Sequence, residues 1–322
     1  MPPRGLWVAH SLLVDALVPG LNLRSRLLAD GVTDRELRRL RRTGALATVR
    51  PGAYVYGDAA TDAVARHRPA VHATASQLGA AAVVSHISAA VLHGLPLWFP
   101  RTQPTPLGRV HATRDRRSGA RRNSLVHLHA AALEPDEVVM VDGLLVTSVA
   151  RTVTDVARSL PFESALIVAD GALHRGLVTP SALLEGTERG AHRRGNTAAR
   201  RVVAFADGRA ESVGETRSRL AIHRAGLPSP TLQHEVRSAG GRRLGRTDFY
   251  WEEFTTVGEF DGRVKYGRLL RPGQEPGDAV FEEKVREDAM RAEGLGMARW
   301  TWPELQAFGP VSDRIRRAFV RR

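Results

Sequence analysis

Asp248, Glu259, Asp261 and Lys265 are the residues of this chain whose types and spacing could do chemistry. Two β-rich runs, 245–251 and 255–261, flank a short Glu-rich turn and are expected to pair antiparallel. With the turn centred on Glu253 and Phe254, Asp248 faces Glu259 with about 5 Å between β-carbons, and Glu259 and Asp261 share a face by the period of two. Three carboxylates gathered at one spot repel unless a cation neutralises them, and oxygen-only ligands favour Mg2+ or Mn2+ over zinc. Such an ion polarises a phosphate ester and lowers the pKa of an attacking water. Lys265 has the parity of Glu259, and its ammonium could orient that water or stabilise developing charge. It is one of two lysines among 47 basic residues, a hint that the bulkier guanidinium does not serve there. The competing expectation is an exposed hairpin with solvated carboxylates and a surface lysine.

The scaffold that would carry this group is sizeable. At 322 residues the chain has room for two or three domains, each with its own core, and 43% hydrophobic with 25% charged residues is a globular composition. A net charge of +13 and a pI near 11.2 favour a polyanionic partner, because neutralising phosphates releases condensed counterions. The absence of cysteine excludes disulfides and thiolate zinc sites and fits a reducing cytoplasm. The apolar start, 6–18, is broken by His10, Ser11 and Asp15, and the Ala/Val-rich stretch 70–97 carries too many polar groups to span a bilayer. A soluble, cytoplasmic protein without a membrane segment is expected.

Near the N-terminus, Thr33 and Glu36 have the spacing of a capping box and open a helix in which Leu37 and Leu40 form the inward stripe. Arginines surround the rest, and Gly44 supplies a stop. The next segment has β-rich halves around Pro51-Gly52, which reads as a two-stranded wing. Helix followed by wing is a DNA-binding order, with Arg35, Arg38, Arg39 and Arg42 as base or phosphate contacts and Arg50 as the wing contact. This stretch, 31–54, resembles the N-terminal winged helix of AbiEi-type antitoxins of type IV toxin-antitoxin systems. The resemblance implies operator binding by the first 60 residues or so, with a cognate toxin as a candidate partner.

The middle of the chain offers less chemistry. A helix is expected between Ser85 as N-cap and Gly94 as stop; His86 and His93 on it are expected to be structural, with a metal pair the lesser alternative. Asp142-Gly143 between two apolar runs is a hairpin signal, and helical spacing follows at 147–158, 161–175 and 179–185. Arg114 to Arg122 read as a basic loop, and 186–214 as a boundary rich in Gly and Arg.

The last third resembles the PD-(D/E)XK nuclease superfamily, in particular the very-short-patch-repair-like domain of unknown function fused to AbiEi-type winged helices in actinobacteria. The pieces that carry it are Glu215 on a first helix, Arg246-Thr-Asp248-Phe, Glu259-Phe-Asp261-Gly262, the run 283–291 with Gly294, and Arg299-Trp-Thr-Trp302. The resemblance implies Asp248 and Glu259 as metal ligands, Glu215 as an accessory acid and Lys265 as a displaced motif lysine. Asp261 stands where the superfamily usually has that lysine. Asp288 and Arg291 are expected to pair at i, i+3.

The expected architecture is α+β: an N-terminal winged helix-turn-helix at 1–60, an α+β connector at 61–190, a basic linker helix at 191–210 and a C-terminal restriction-endonuclease-like α/β domain at 211–322. The expected function is binding of double-stranded DNA with Mg2+-dependent phosphodiester hydrolysis. Its rival is a non-enzymatic repressor or antitoxin with a silent nuclease fold. A homodimer is a mild expectation.

Overall fold

The computed structural model describes residues 20–57, 60–78, 82–100, 102, 104–116, 118–262 and 276–319. The protein is a mixed α+β chain with three separate sheets. It divides into two compact units, Met1–Val168 with Leu177–Ala204, and Ala169–Gly176 with Phe205–Arg322. The segments expected at 1–60 and 61–190 thus fall largely in one unit. Among the described residues no helix is long and apolar enough to cross a membrane.

The first unit opens with β1 (Leu21–Leu23), α1 (Arg24–Ala29), α2 (Asp34–Arg42), β2 (Leu46–Arg50) and β3 (Ala53–Tyr56). The strands form an antiparallel sheet in the order β1-β3-β2. Helix α2 starts where the sequence places it: Thr33 Oγ1 accepts from Glu36 N, and Glu36 Oε2 accepts from Thr33 N at 2.8 Å. These bonds from Thr33 hold the Glu36 carboxyl below its ordinary pKa. Gly52 has φ +80°, the left-handed value that a Pro-Gly turn requires at its third position. Leu27, Leu37, Leu46 and Tyr54 close a small core between the two helices and the sheet.

A six-stranded sheet follows, in the order β6-β7-β5-β4-β9-β8. Its strands are β4 (Val83–Val84), β5 (Val110–Asp115), β6 (Arg121–Arg122), β7 (Val126–Ala131), β8 (Val138–Val141) and β9 (Leu144–Thr147). Helix α3 (Ala63–Leu78) precedes it, and α4 (His86–Leu92) leaves β4 directly. The expected hairpin is present, with Asp142 and Gly143 at φ +48° and +69° as a two-residue turn of the primed type needs. Helices α5 (Val149–Ser159), α6 (Phe162–His174), α7 (Pro180–Arg189) and α8 (Asn196–Phe205) succeed one another, with 169–176 and Phe205 belonging to the second unit. Arg151 on α5 is 2% exposed and bonds Asp155 Oδ2 at 2.9 Å, Glu137 Oε2 at 2.5 Å and the Ala132 carbonyl at 3.0 Å.

The second unit runs α9 (Val213–Arg224), β10 (Thr231–Arg237), β11 (Arg243–Trp251), β12 (Thr256–Asp261), α10 (Pro276–Ala292), β13 (Gly296–Thr301) and α11 (Gly309–Ala318). Its sheet has the order β10-β11-β12-β13; the first three strands are antiparallel, and β13 returns parallel to β12 after the crossover through α10. Side-chain alternation gives the sheet two buried faces. Phe249, Trp251, Phe260 and Trp300 lie on one, with Ile222 of α9 and Ile315 of α11. Val236 and Val257 lie on the other, with Met290 of α10. Each fully buried aromatic contributes about 2–3 kcal/mol of transfer free energy, and the Trp300 indole N–H is satisfied by Ser218 Oγ at 2.7 Å.

Helix α9 approaches this sheet closely because residue 214 is glycine: a β-carbon there would lie 1.9 Å from Phe260 Cε1. Phe260 is 4% exposed and walled in by its core. Gly214→Ala should therefore destabilise the second unit by about 1–3 kcal/mol, through overpacking. A fall in the urea midpoint without a change in m-value would show it; an unchanged midpoint would contradict the packing described.

Candidate functional site

On α2 the inward residue is Leu37, 3% exposed, and the arginines share a face by helical period. Arg35, Arg38, Arg39 and Arg42 stand at i, i+3, i+4 and i+7, and all four are exposed. No hydrogen bond or ion pair among the described residues holds their guanidinium groups, so four positive charges span about 10 Å of helix. Arg41 behaves differently: its Nε donates to Thr48 Oγ1 at 3.1 Å, and its guanidinium lies 5.7 Å from the Tyr54 ring centre. Arg50 also departs from its expected role. It is half-buried and donates to Thr74 Oγ1 and, at 2.9 Å, to Gln77 Oε1, both on α3. Its guanidinium secures the β2–β3 hairpin to a helix instead of reaching outward, and burial lowers its pKa.

In the second unit the pairing of β11 with β12 ends at Phe249 and Gly258, so the next residues outward in that register are Asp248 and Glu259. By parity both lie on the face of Tyr250 and Val257, towards α10, as does Asp261. Asp248 Oδ2 accepts from the Phe260 amide at 2.8 Å. Glu259, 7% exposed, accepts from Arg286 of α10 at 3.2 Å, and Arg286 also donates to the Arg246 carbonyl at 2.8 Å. Lys265 lies outside the described residues. Arg291 pairs with Glu287 one turn back at 2.6 Å, not with Asp288. That is the more favourable i, i+4 order of acid before base.

Glu215 joins this group from the first turn of α9. Its two oxygens accept from the Glu211 amide at 2.8 Å, Ser212 Oγ at 2.7 Å and Gln233 Nε2 at 2.8 Å. Glu211 lies before the helix and instead pairs with Arg246 at 2.8 Å. Gln233 is at φ +54°, a conformation that costs a non-glycine residue about 1–2 kcal/mol. Burial, and then the charge of Asp248, push the Glu215 carboxyl above its ordinary pKa.

Among the described residues the carboxylates of Asp248, Glu259 and Asp261 do not form a set with oxygens within 4.8 Å of one another. As placed, Glu259 is turned to Arg286, and Asp248 to a backbone amide. The set of nitrogen ligands that does meet this distance is His86, His111 and His129. Sequence reasoning reached only the first of these. The available signal was His127-Leu-His129, two imidazoles on one face of a strand.

No protein-family model matches the chain. Two curated relatives, uncharacterized proteins from the CDC 1551 / Oshkosh and H37Rv strains of Mycobacterium tuberculosis, are each 38% identical to it over 121 residues. The match covers 38% of this chain and 44% of each relative, so the chain spans less than half the length of the curated relatives it matches.

The raised pKa of Glu215 has a defined sign in stability. The folded carboxyl keeps its proton above the ordinary value of 4.5, so the wild-type protein loses stability as pH climbs from 4.5 through the folded pKa. Glu215→Gln removes that loss, at the cost of mismatched donors worth about 1–3 kcal/mol. The variant should be least stable relative to wild type near pH 4 and should recover part of the gap towards pH 7, read by chemical denaturation across that range. A gap that widens with pH would contradict the like-charge crowding at Asp248.

Proposed function

We infer that this is a double-stranded DNA-binding protein whose first unit grips the duplex through the arginine face of α2. One observation carries the reading: four exposed guanidinium groups on one helix face, held by no hydrogen bond or ion pair among the described residues, next to a two-stranded hairpin. The order β1-α1-α2-β2-β3 is that of a winged helix-turn-helix, in which the second helix enters the major groove and the hairpin flanks it. Both acids of α2 are engaged at its N-terminal end, Asp34 by Arg24 at 2.7 Å and Glu36 by Thr33, and Arg39 contributes a weaker attraction to Glu36. The net charge of +13 supplies long-range attraction to a polyanion.

A second reading, Mg2+-dependent phosphodiester hydrolysis, is favoured by the α-β-β-β-α-β order of the second unit. The order resembles a PD-(D/E)XK nuclease core, with Glu215, Asp248 and Glu259 at matching positions. A bound metal would supply charge neutralisation and an activated water. In the chain itself, Arg286 performs the neutralisation at Glu259. A binding role with no turnover, as in a repressor or antitoxin of a type IV toxin-antitoxin system, follows if that pairing persists on DNA.

The DNA reading is tested by fluorescence anisotropy on duplex DNA across a salt series. Arg38→Ala with Arg39→Ala should weaken binding at least ~10-fold near 0.1 M salt and lower the salt slope by about 2. Arg50→Ala should leave the slope unchanged. Equal affinity in wild type and the double variant would refute the assignment of α2. Incubation with supercoiled plasmid separates the two roles of the second unit. Hydrolysis predicts nicking only with Mg2+, lost in Asp248→Ala and Glu259→Ala, whereas intact plasmid leaves binding alone.

A further inference from the structure

Four histidines of the first unit converge from three elements that are far apart in sequence. His86 is the first residue of α4, His111 lies on β5, and His127 and His129 lie on β7. Strands β5 and β7 are parallel neighbours with His111 opposite His127 and Thr113 opposite His129, so the three strand histidines share one face. His111 Nδ1 and His129 Nε2 are 3.0 Å apart. The rings of His86 and His129 stack at 3.7 Å and 12°, and those of His127 and His129 stack at 3.9 Å.

His86 is held over the sheet by an unusual backbone. Its φ of +52° is left-handed for a non-glycine residue and costs about 1–3 kcal/mol, a strain that is kept only where the surroundings enforce it. Ser85 Oγ lies 2.9 Å from His86 Nδ1 and itself accepts from Thr113 Oγ1 at 2.8 Å. Asp155 Oδ2 is 3.9 Å from the same nitrogen, and Arg151 and Arg158 fix that carboxylate. A carboxylate or hydroxyl behind an imidazole is what orients a metal-ligating histidine and raises its basicity.

We propose that His86, His111 and His129 form a transition-metal site of the Zn2+ class, with Asp155 and Ser85 orienting His86 from behind. Their ligating nitrogens lie within 4.8 Å of one another, close to the separations set by metal–nitrogen bonds of about 2.0–2.1 Å. An all-imidazole set selects Zn2+, Co2+, Ni2+ or Cu2+ over Mg2+ or Ca2+. Burial lowers the pKa of all three imidazoles. Because the His86 and His129 rings are parallel, binding requires one of them to tilt towards the ion. Three protein ligands leave a fourth position for water or a ligand. The ion would add a clamp between the start of α4 and strands β5 and β7, beside the backbone bond from Ser85 N to the His111 carbonyl at 3.0 Å.

The test uses the full-length, tag-free chain, stripped with EDTA and then equilibrated with ZnCl2 or CoCl2. The expected result is one ion per chain by elemental analysis, a cobalt d–d spectrum of a nitrogen-rich site, and a rise of several degrees in the unfolding temperature with Zn2+. His86→Asn is the variant least prone to misfold, since asparagine tolerates the left-handed backbone; it and His129→Gln should lose the ion and the thermal shift while keeping the wild-type circular dichroism. His127→Ala should retain both. Failure of the wild-type chain to hold a stoichiometric ion, undiminished uptake by His86→Asn and His129→Gln, or uptake lost instead in Asp248→Ala with Glu259→Ala would each overturn the proposal.

Discussion

The first unit is organised around a buried guanidinium. Arg151 can sit at 2% exposure only because two carboxylates and a carbonyl take up its donors; an unpaired charge there would cost several kcal/mol. Each partner comes from a different place. Glu137 lies in the turn before β8, Asp155 one helical turn along α5, and Ala132 just beyond β7. One side chain thus locks the helix against the strand connections. It also pins Asp155, with help from Arg158, at the spot where the histidines gather. The arrangement is cooperative, because loss of any member leaves another charge buried without compensation.

Much of this architecture was legible in the sequence wherever a local rule decides the outcome. The capping box at Thr33 and Glu36, the Pro51-Gly52 turn and the Asp142-Gly143 hairpin depend on residues within four positions of one another, and all stand as read. The pairing of 245–251 with 255–261 was legible for the same reason, since a short turn sets the register. Side-chain partners were not. Arg50 reads as a wing contact until α3 is packed beside it, and the sequence, which reads Glu259 as a metal ligand, gives no sign of Arg286, which α10 brings in 27 residues later. The histidine group was legible only in pieces, His86 and the His127-Leu-His129 alternation, because its members come from residues 86, 111, 127 and 129 and meet through the β5–β7 pairing and the start of α4.

The two units handle charge in opposite ways. Along α2, acids are drawn off to the N-terminal turn and the arginines are left to solvent. Around Asp248 and Glu259, both oxygens of Glu215 and one oxygen each of Asp248 and Glu259 accept from donors of the chain: an amide, a glutamine, a serine or Arg286. The first arrangement leaves positive charge at the surface, and the second spends much of its negative charge on donors of the chain itself.

The cap on α2 has one more implication, for polarity. Helix N-termini ordinarily welcome phosphate oxygens through their free amides and positive dipole end. Here Thr33 Oγ1 takes the Glu36 amide, and the carboxylates of Asp34, clasped by Arg24, and Glu36 stand at the same end. The entrance of the helix thus carries the acids, while Arg39 and Arg42 stand in its last turn. The helix is therefore electrically lopsided along its axis, acidic where the chain enters it and basic where the chain leaves.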